Sequence, residues 1–380
     1  MHTSARPRSF SQWLTRTLTW AGLGIVLSGC GFYQDWRDEN KGIQLDTLTA
    51  PPGYRVSLFA TGLPKARQMA LGSAGTLFVG SNAGNVYALA LTGSAVMRQR
   101  TVISGLNNPS GLAFKDGALF VSDRTRILRF DNIEQQMDKP PVPVPVLNGL
   151  PDKARHDAHV MGFGPDGMLY VAIGAPCNTC EAPNDEFGTI LRSRLDGSGK
   201  EVFARGIRNS VGFDWHPQTR ELWFTDNGQD ELGLQRPNDE LNRVSKPGEH
   251  FGFPYCHDRD IADPEFGGKH ACSEFTAPTF GLGAHVAALG MRFDTATPLG
   301  TTVSVLVARH GSHPPTRVGY DVVRVVLPAG QTPRMEPFLT GFLKGRRYWG
   351  RPVDVLLLRD GSVLVSDDLN GAIYRVARDR

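Results

Sequence analysis

One phrase recurs along this chain and constrains its fold more than any other feature. A Gly-rich lead-in is followed by a short apolar strand, a polar turn, a second apolar strand, and then Asp or Gly. The phrase stands at 66–89, 108–130, 159–174, 209–228 and 351–376, and a degenerate copy at 288–311 continues into YDVVRVVL at 320–327, making six. Asp-Gly pairs at Asp116-Gly117, Asp166-Gly167 and Asp360-Gly361 predict hairpin turns between the paired strands. A third strand follows in several copies (VYALAL, ILRFD, AIYRV). Spacing is mostly in the range of propeller blades, roughly 40–50 residues, and insertions swell the third, fourth and fifth copies. One small sheet cannot bury both of its faces alone, so radial stacking of blades supplies the core. The expected fold is all-β, a six-bladed β-propeller over residues 49–380, with the first strand of each copy on the axis. A pair of β-sandwiches, the runner-up, leaves the six-fold recurrence unexplained. Pro140 to Pro145 (PPVPVP) reads as an extended connection between the second and third blades.

A ring of this kind gathers residues from separate copies around one mouth, among them His156, Arg208 and Asp226. The segment from Arg205 to Pro254 carries a long acidic loop with Asp226, Asn227, Asp230, Glu231, Asp239, Glu240 and Asn242. Exposed carboxylates usually do no more than solvate a loop. The packed run Asn238-Asp239-Glu240-Leu241-Asn242, with its apolar Leu241 and the Gly/Pro bend at 247–254, is more shaped than that. Hard oxygen ligands on a shaped loop suit calcium.

The N-terminus stands apart from the repeat. Arg6, Arg8 and Arg16 precede an apolar stretch from Leu18 to Leu27, too short for a comfortable membrane span. Leu27-Ser28-Gly29-Cys30 resembles the lipobox of bacterial lipoproteins. That implies a signal peptide over 1–29, acylation of Cys30, and a polar tether through residue 48. Gly31, in place of Asp, favours the outer membrane by the same analogy. Charge is nearly balanced, with 41 basic and 38 acidic side chains, so no basic stripe argues for nucleic acid. Export permits disulfides. Besides Cys30, the cysteines are Cys177, Cys180, Cys256 and Cys272. Four cysteines allow three pairings, of which local spacing favours Cys177–Cys180 and Cys256–Cys272. A zinc or redox reading of Cys177-Asn178-Thr179-Cys180 lacks the second CxxC or the βαβ context it needs.

An ordered set of motifs then carries a resemblance. They are Phe163-Gly164-Pro165-Asp166-Gly167, Gly206-x-Arg208-Asn209, Glu221-Leu222-Trp223, Asp239-Glu240-Leu241-Asn242, Phe251-Gly252-Phe253-Pro254-Tyr255-Cys256, His310-Gly311-Ser312, Gly350-Arg351-Pro352 and Val365-Ser366-Asp367-Asp368. Over residues 50–380 the chain resembles the soluble glucose/sorbosone dehydrogenase family, six-bladed propellers that bind pyrroloquinoline quinone (PQQ) and calcium. It looks closest to the L-sorbosone dehydrogenase branch. The resemblance implies His156 as general base, a role that a near-neutral pKa suits. It implies Arg208 facing the quinone, where a planar fixed cation favours the reduced form, with Asn209 orienting nearby groups. Gly228 and Gln229 would offer backbone carbonyls to the quinone-bound calcium. Asp239 and Glu240, with the backbone near Phe251, would form a structural calcium site. Arg351 would pair with a cofactor carboxylate. Relatives often carry Trp-Asn-Arg after His-Gly-Ser. Here His313-Pro314-Pro315-Thr316-Arg317 follows Ser312, which makes Arg317 the displaced basic residue. Relatives also tend to carry Arg where this chain has His159.

Three functions stay open at this level. The first is a lipid-anchored, periplasm-facing PQQ dehydrogenase for an aldose or a sugar-derived aldehyde, with an electron acceptor the sequence does not reveal. The second is a calcium-dependent hydrolase of the lactonase kind, which would recruit Asp226, Asn227, Asp367 and Asp368 around an axial metal. The third is a non-catalytic propeller that serves as a binding platform.

Overall fold

The computed structural model describes residues 42–152, 155–295 and 302–379. The expected signal peptide and Cys30 lie outside them. Six main sheets stand in chain order, and each begins with a strand against the central axis: Ala66–Leu71, Leu112–Lys115, Met161–Phe163, Gly212–Trp215, Ala288–Phe293 and Pro352–Leu357. Each sheet runs outward as an antiparallel meander of four strands, and the third carries a short fifth strand, Glu249–His250, added in parallel at its outer edge. The fold is the six-bladed propeller that the repeat predicts.

The second strand of a blade is fully buried, as in Thr76–Ser81, Ala118–Asp123, Leu169–Ile173, Leu222–Asp226 and Val363–Asp367. Both of its faces meet neighbouring blades, which explains why these runs are continuously apolar rather than alternating. The core is accordingly divided among the blade interfaces. One cluster around Phe78, Leu119 and Leu128 lies between the first two blades, and another around Tyr170, Phe213 and Phe224 lies between the third and fourth. A cluster around Leu77, Leu89, Leu364 and Ile373 joins the first blade to the last.

The ring closes through a strand that the repeat does not announce. Tyr54–Ala60 pairs antiparallel with Ala372–Arg378 and becomes the outermost strand of the last blade. The polar tether expected through residue 48 ends earlier than that. Ile43, Leu45 and Leu48 pack on the last-blade cluster, and Trp349 Nε1 donates to Thr47 Oγ1 at 3.0 Å. These apolar side chains are better buried there than left in water.

The outer strands also differ from the sequence reading. The expected connection at 140–145 is in its second half a strand, Val144–Asn148, the outermost of the second blade. An edge strand tolerates Pro145 because no further strand needs its missing N–H. Asp116-Gly117 forms the two-residue hairpin its composition predicts, with positive φ at both positions (50° and 80°) as a type I′ turn requires.

The Gly-rich lead-ins have a packing cause. A Cβ at Gly111 would stand 1.8 Å from the His159 carbonyl oxygen, and one at Gly212 would stand 2.2 Å from that of Leu289. Inner strands of adjacent blades approach so closely at the axis that no side chain fits. Gly212→Ala is therefore expected to lower stability by about 1–3 kcal/mol or more through overpacking, read as a lower urea midpoint with unchanged slope.

Candidate functional site

At one end of the axis the loops entering and leaving the inner strands enclose a cavity of ≈ 650 Å³. His156, Arg208, Asn209, Gly228 and Asp239 line it, together with Arg155, Asp230, Glu231 and the His313–Thr316 segment. The third, fourth and fifth blades thus converge as the repeat geometry requires.

Arg208 organises one wall. It is 4 % exposed, so its five donors need acceptors. Nε donates to the Asn178 carbonyl at 2.8 Å, and one terminal nitrogen donates to the Asn227 carbonyl at 3.1 Å. The other reaches Asn178 Oδ1 at 2.7 Å and Asp230 at 3.1 Å. Burial lowers the Arg208 pKa, and Asp230 and Asp226 act against that shift. The backbone is held as firmly: Asp226 accepts from the Arg208 N–H at 2.9 Å and the Asn209 N–H at 2.6 Å. Asp230 also pairs with Arg155 at 3.1 Å, so one carboxylate ties two guanidiniums.

His156 stands on the same wall. Its Nδ1 lies 2.9 Å from the Ala175 carbonyl oxygen. A carbonyl only accepts, so Nδ1 carries the proton and Nε2 is the basic nitrogen. Burial and then the Arg208 charge push its pKa down to about 4. The imidazole is therefore neutral near pH 7, the state a general base needs. Ala175 serves both residues, since its N–H also donates to the Arg208 carbonyl at 2.7 Å.

Sequence reasoning missed Asn178. It lies inside the Cys177–Cys180 disulfide loop, and both its carbonyl and its side-chain oxygen grip Arg208. The signal was the CxxC spacing itself, which brackets the residue. The second bridge joins Cys256 to Cys272, so both favoured pairings are present.

The expected acidic pair is arranged differently from its sequence. Asp239 and Glu240 are consecutive on the strand Asn238–Val244, and consecutive strand residues point to opposite faces. Asp239 faces the mouth and accepts from the Gly228 and Ala288 N–H groups at 2.9 and 3.1 Å. Glu240 faces a small cavity that Asp226, Gly228 and Phe251 also line. Its cross-strand partner is Asp226. Like charges directly opposite repel, and here both are buried. Burial, reinforced by Asp239, pushes Asp226 up to about 7, and burial with Asp226 raises Glu240 well above the usual range. On the same face Asn242 donates to Glu240 at 2.9 Å, while its buried Oδ1 has no partner. Two opposed carboxylates beside an orphaned oxygen fit a divalent cation better than they fit each other. Among the described residues no three His, Cys, Asp or Glu side chains form a metal-holding group. Such a site would thus combine two carboxylates with amide and backbone oxygens.

The remaining predicted residues fall behind the wall. Gln229 is buried beside Asn178. The Arg317 and Arg351 guanidiniums both lie over the Tyr348 ring, at 5.9 and 5.7 Å from its centroid, and neither lines the cavity. Arg351 donates to the carbonyls of His310 and Gly311 at 3.3 and 3.1 Å. His159 is buried against the Ala172 carbonyl. The carboxylates a lactonase would recruit are committed elsewhere. Asp368 pairs with Arg67 at 3.1 Å and His310 at 2.9 Å, and Asp367 accepts from the Arg351 N–H and the Tyr374 hydroxyl.

The Asp226–Glu240 pair predicts a linked response to pH and calcium. Without a cation the folded pair keeps protons that an unfolded chain releases above about pH 4. Its contribution to stability therefore falls as pH rises from about 4 to about 7. Calcium held by the charged pair would compensate it, so its stabilising effect should be small at pH 5 and larger at pH 8. Glu240→Gln should abolish the calcium response and leave the metal-free protein more stable at pH 8. His156, His250 and His310, each lowered to about 4, act in the opposite sense and cost stability in acid. Thermal unfolding with calcium and with chelator, compared at each pH, isolates the carboxylate effect. An equal calcium shift at both pH values would contradict it.

Comparison with known proteins follows the same lines. A family model described as TrAA12-like matches residues 48–265, more than half of the chain. An uncharacterized protein of Borreliella burgdorferi is 32 % identical over 348 residues, covering 87 % of this chain and 90 % of the relative. The iodide structure of the Trichoderma reesei family AA12 carbohydrate-active enzyme superposes with a TM-score of 0.78 at 21 % identity, over 90 % of this chain and 100 % of that one. The holo PQQ domain of Coprinopsis cinerea pyranose dehydrogenase gives 0.74 at 19 %, over 87 % and 97 %. The PQQ-bound aldose sugar dehydrogenase of Streptomyces coelicolor gives 0.61 at 22 %, over 87 % and 100 %. At these identities the solved structures establish the propeller fold. The family match, together with the extended similarity to the Borreliella protein, places the chain in the TrAA12-like family.

Proposed function

We propose that this protein is a PQQ- and calcium-dependent dehydrogenase that oxidises an aldose or a sugar-derived aldehyde such as sorbosone. One observation carries the reading: a neutral histidine with Nε2 as its basic nitrogen shares the wall of a ≈ 650 Å³ cavity with two arginines. Membership of the TrAA12-like family and likeness to propellers named as PQQ-bound sugar dehydrogenases support it. Arg155 and Arg208 both reach the cavity and supply the cationic donors an anionic quinone needs, and a calcium held with the cofactor would offset Asp239 and Glu231, which line the cavity too. Arg351 and Arg317 stiffen the wall from behind instead of touching the cavity.

PQQ, when bound, supplies the two-electron acceptor. His156 takes at Nε2 the proton of the anomeric hydroxyl of an aldose, or of a hydroxyl of the hydrated aldehyde, as the hydride leaves the same carbon. The Ala175 carbonyl holds the imidazole in that tautomer throughout. Arg208, fixed by Asn178, Asn227 and Asp230, presents a positive charge that needs no reorganisation as negative charge develops beside it. Asp226 and Glu240 would hold a calcium, which would also stiffen the backbone of Arg208. Gly228 stands on the cavity wall, placed for a second calcium held with the cofactor. The lactonase reading is not favoured, because Asp367 and Asp368 are already paired.

Two disulfides agree with an exported protein, and we place it on a lipid anchor at Cys30, facing the periplasm from the outer membrane. Cys30→Ser should move it from the membrane fraction to the soluble one. Catalytically, dye reduction with aldoses or sorbosone should require both PQQ and calcium. His156→Gln should lower kcat by about 10²–10⁴-fold, the usual weight of a general base, with cofactor binding retained. Activity that needs no quinone, or that survives in His156→Gln, would overturn the reading.

A further inference from the structure

A second cleft lies outside the reaction cavity. It encloses ≈ 260 Å³ between the 180–189 loop and the 250–255 bend. Each wall is held by its own disulfide, Cys177–Cys180 on one side and Cys256–Cys272 on the other. The fold creates it through an added edge: Glu249–His250 pairs in parallel with Ala204–Arg205, which sets His250 beside Arg205. Gly206 permits this approach, since a Cβ there would stand 2.3 Å from the imidazole. Tyr255 donates to Glu181 at 3.0 Å, and Lys269 donates to the same carboxylate at 2.7 Å, linking the two walls.

The chemistry of the lining is mixed and largely unspent. The Asp185 carboxylate and the Arg205 guanidinium line the cleft, are exposed, and make no side-chain hydrogen bond or ion pair among the described residues. His250 Nδ1 accepts from the Gly252 N–H at 3.1 Å. Nε2 therefore carries the proton and offers a donor. Phe187 and Phe253 supply apolar surface. A carboxylate acceptor, a cationic fork and an imidazole N–H donor over an apolar floor match a ring of hydroxyls with C–H faces. Asp185 and Glu181 disfavour an anion, and Arg205 disfavours a cation. The volume is just below the about 300–1,000 Å³ of drug-sized pockets, which suits a single ring. The disulfides hold both walls in advance, which lowers the ordering cost of a weak ligand. Ala175 lines this cleft while its carbonyl holds His156, so the two sites share a wall.

We propose that the cleft is a second carbohydrate site that holds one neutral sugar ring beside the reaction cavity. The choice of a sugar among polyhydroxylated ligands rests on the dehydrogenase reading. The test is binding without quinone or calcium, so that it succeeds or fails independently of the reaction. The full chain is titrated with glucose, cellotetraose and maltotetraose by saturation-transfer NMR and calorimetry, alongside Asp185→Ala, Arg205→Ala and His156→Ala. Saturable millimolar binding is expected, weakened at least about tenfold by either cleft substitution and unchanged by His156→Ala. Stronger binding of a tetrasaccharide assigns the site to a glycan chain, and equal binding of glucose assigns it to a free sugar. No saturable binding of any of the three would overturn the proposal. So would binding that His156→Ala removes while both cleft variants retain it.

Discussion

Closure of the ring is the constraint on which everything else rests. No blade is a folded unit, because its second strand is apolar on both faces and each core cluster is shared with a neighbour. At the last interface, around Leu77, Leu364 and Ile373, Tyr54–Ala60 adds to Ala372–Arg378, a contact between the two ends of the domain. Hydrophobic burial drives the stacking. Glycines at the axis then let the inner strands approach until backbone meets backbone. The result is a rigid rim on which loops from different blades have little freedom to move apart.

That rigidity makes a buried arginine possible. Arg208 loses water on nearly every side, and the fold replaces it with two carbonyls, an amide oxygen and a carboxylate from two segments, Asn178 in one and Asn227 and Asp230 in the other. Asp226 meets two demands at once. It holds the backbone of Arg208 and Asn209, and it faces Glu240 across the ladder. A cation at the carboxylate pair would therefore act on the reaction cavity through a single side chain. The Cys177–Cys180 loop acts from the other side through Asn178.

Much of this was legible in the sequence, for physical reasons that can be named. Inner and second strands repeat because every blade meets the same neighbours, so the ring, the convergence of His156 and Arg208, and both disulfides could be anticipated. Outer strands such as Ala95–Ile103 and Tyr54–Ala60 are largely exposed and carry no such imprint. The pairing of Tyr54–Ala60 also spans nearly the whole domain. Adjacency misled at Asp239-Glu240, because strand alternation sends neighbours to opposite faces, and the residue that Glu240 faces, Asp226, lies on the preceding strand. Arg317 and Arg351 carried the right charge. Their positions follow from a shared aromatic platform, Tyr348, that no motif announced. Residues 42–48 looked polar enough for a tether, yet three apolar side chains suffice to dock them.

In the function we propose, the mouth cavity holds an anionic quinone against Arg208 and His156 takes the substrate proton. An anaerobic absorbance titration of PQQ into the calcium-loaded protein, followed by sugar, tests it most directly. Saturation at one equivalent is predicted, with prompt loss of the quinone band on adding sugar to the wild type. In His156→Gln the quinone should bind but keep its band. Absence of saturable binding, or equal bleaching in the two proteins, would rule this function out.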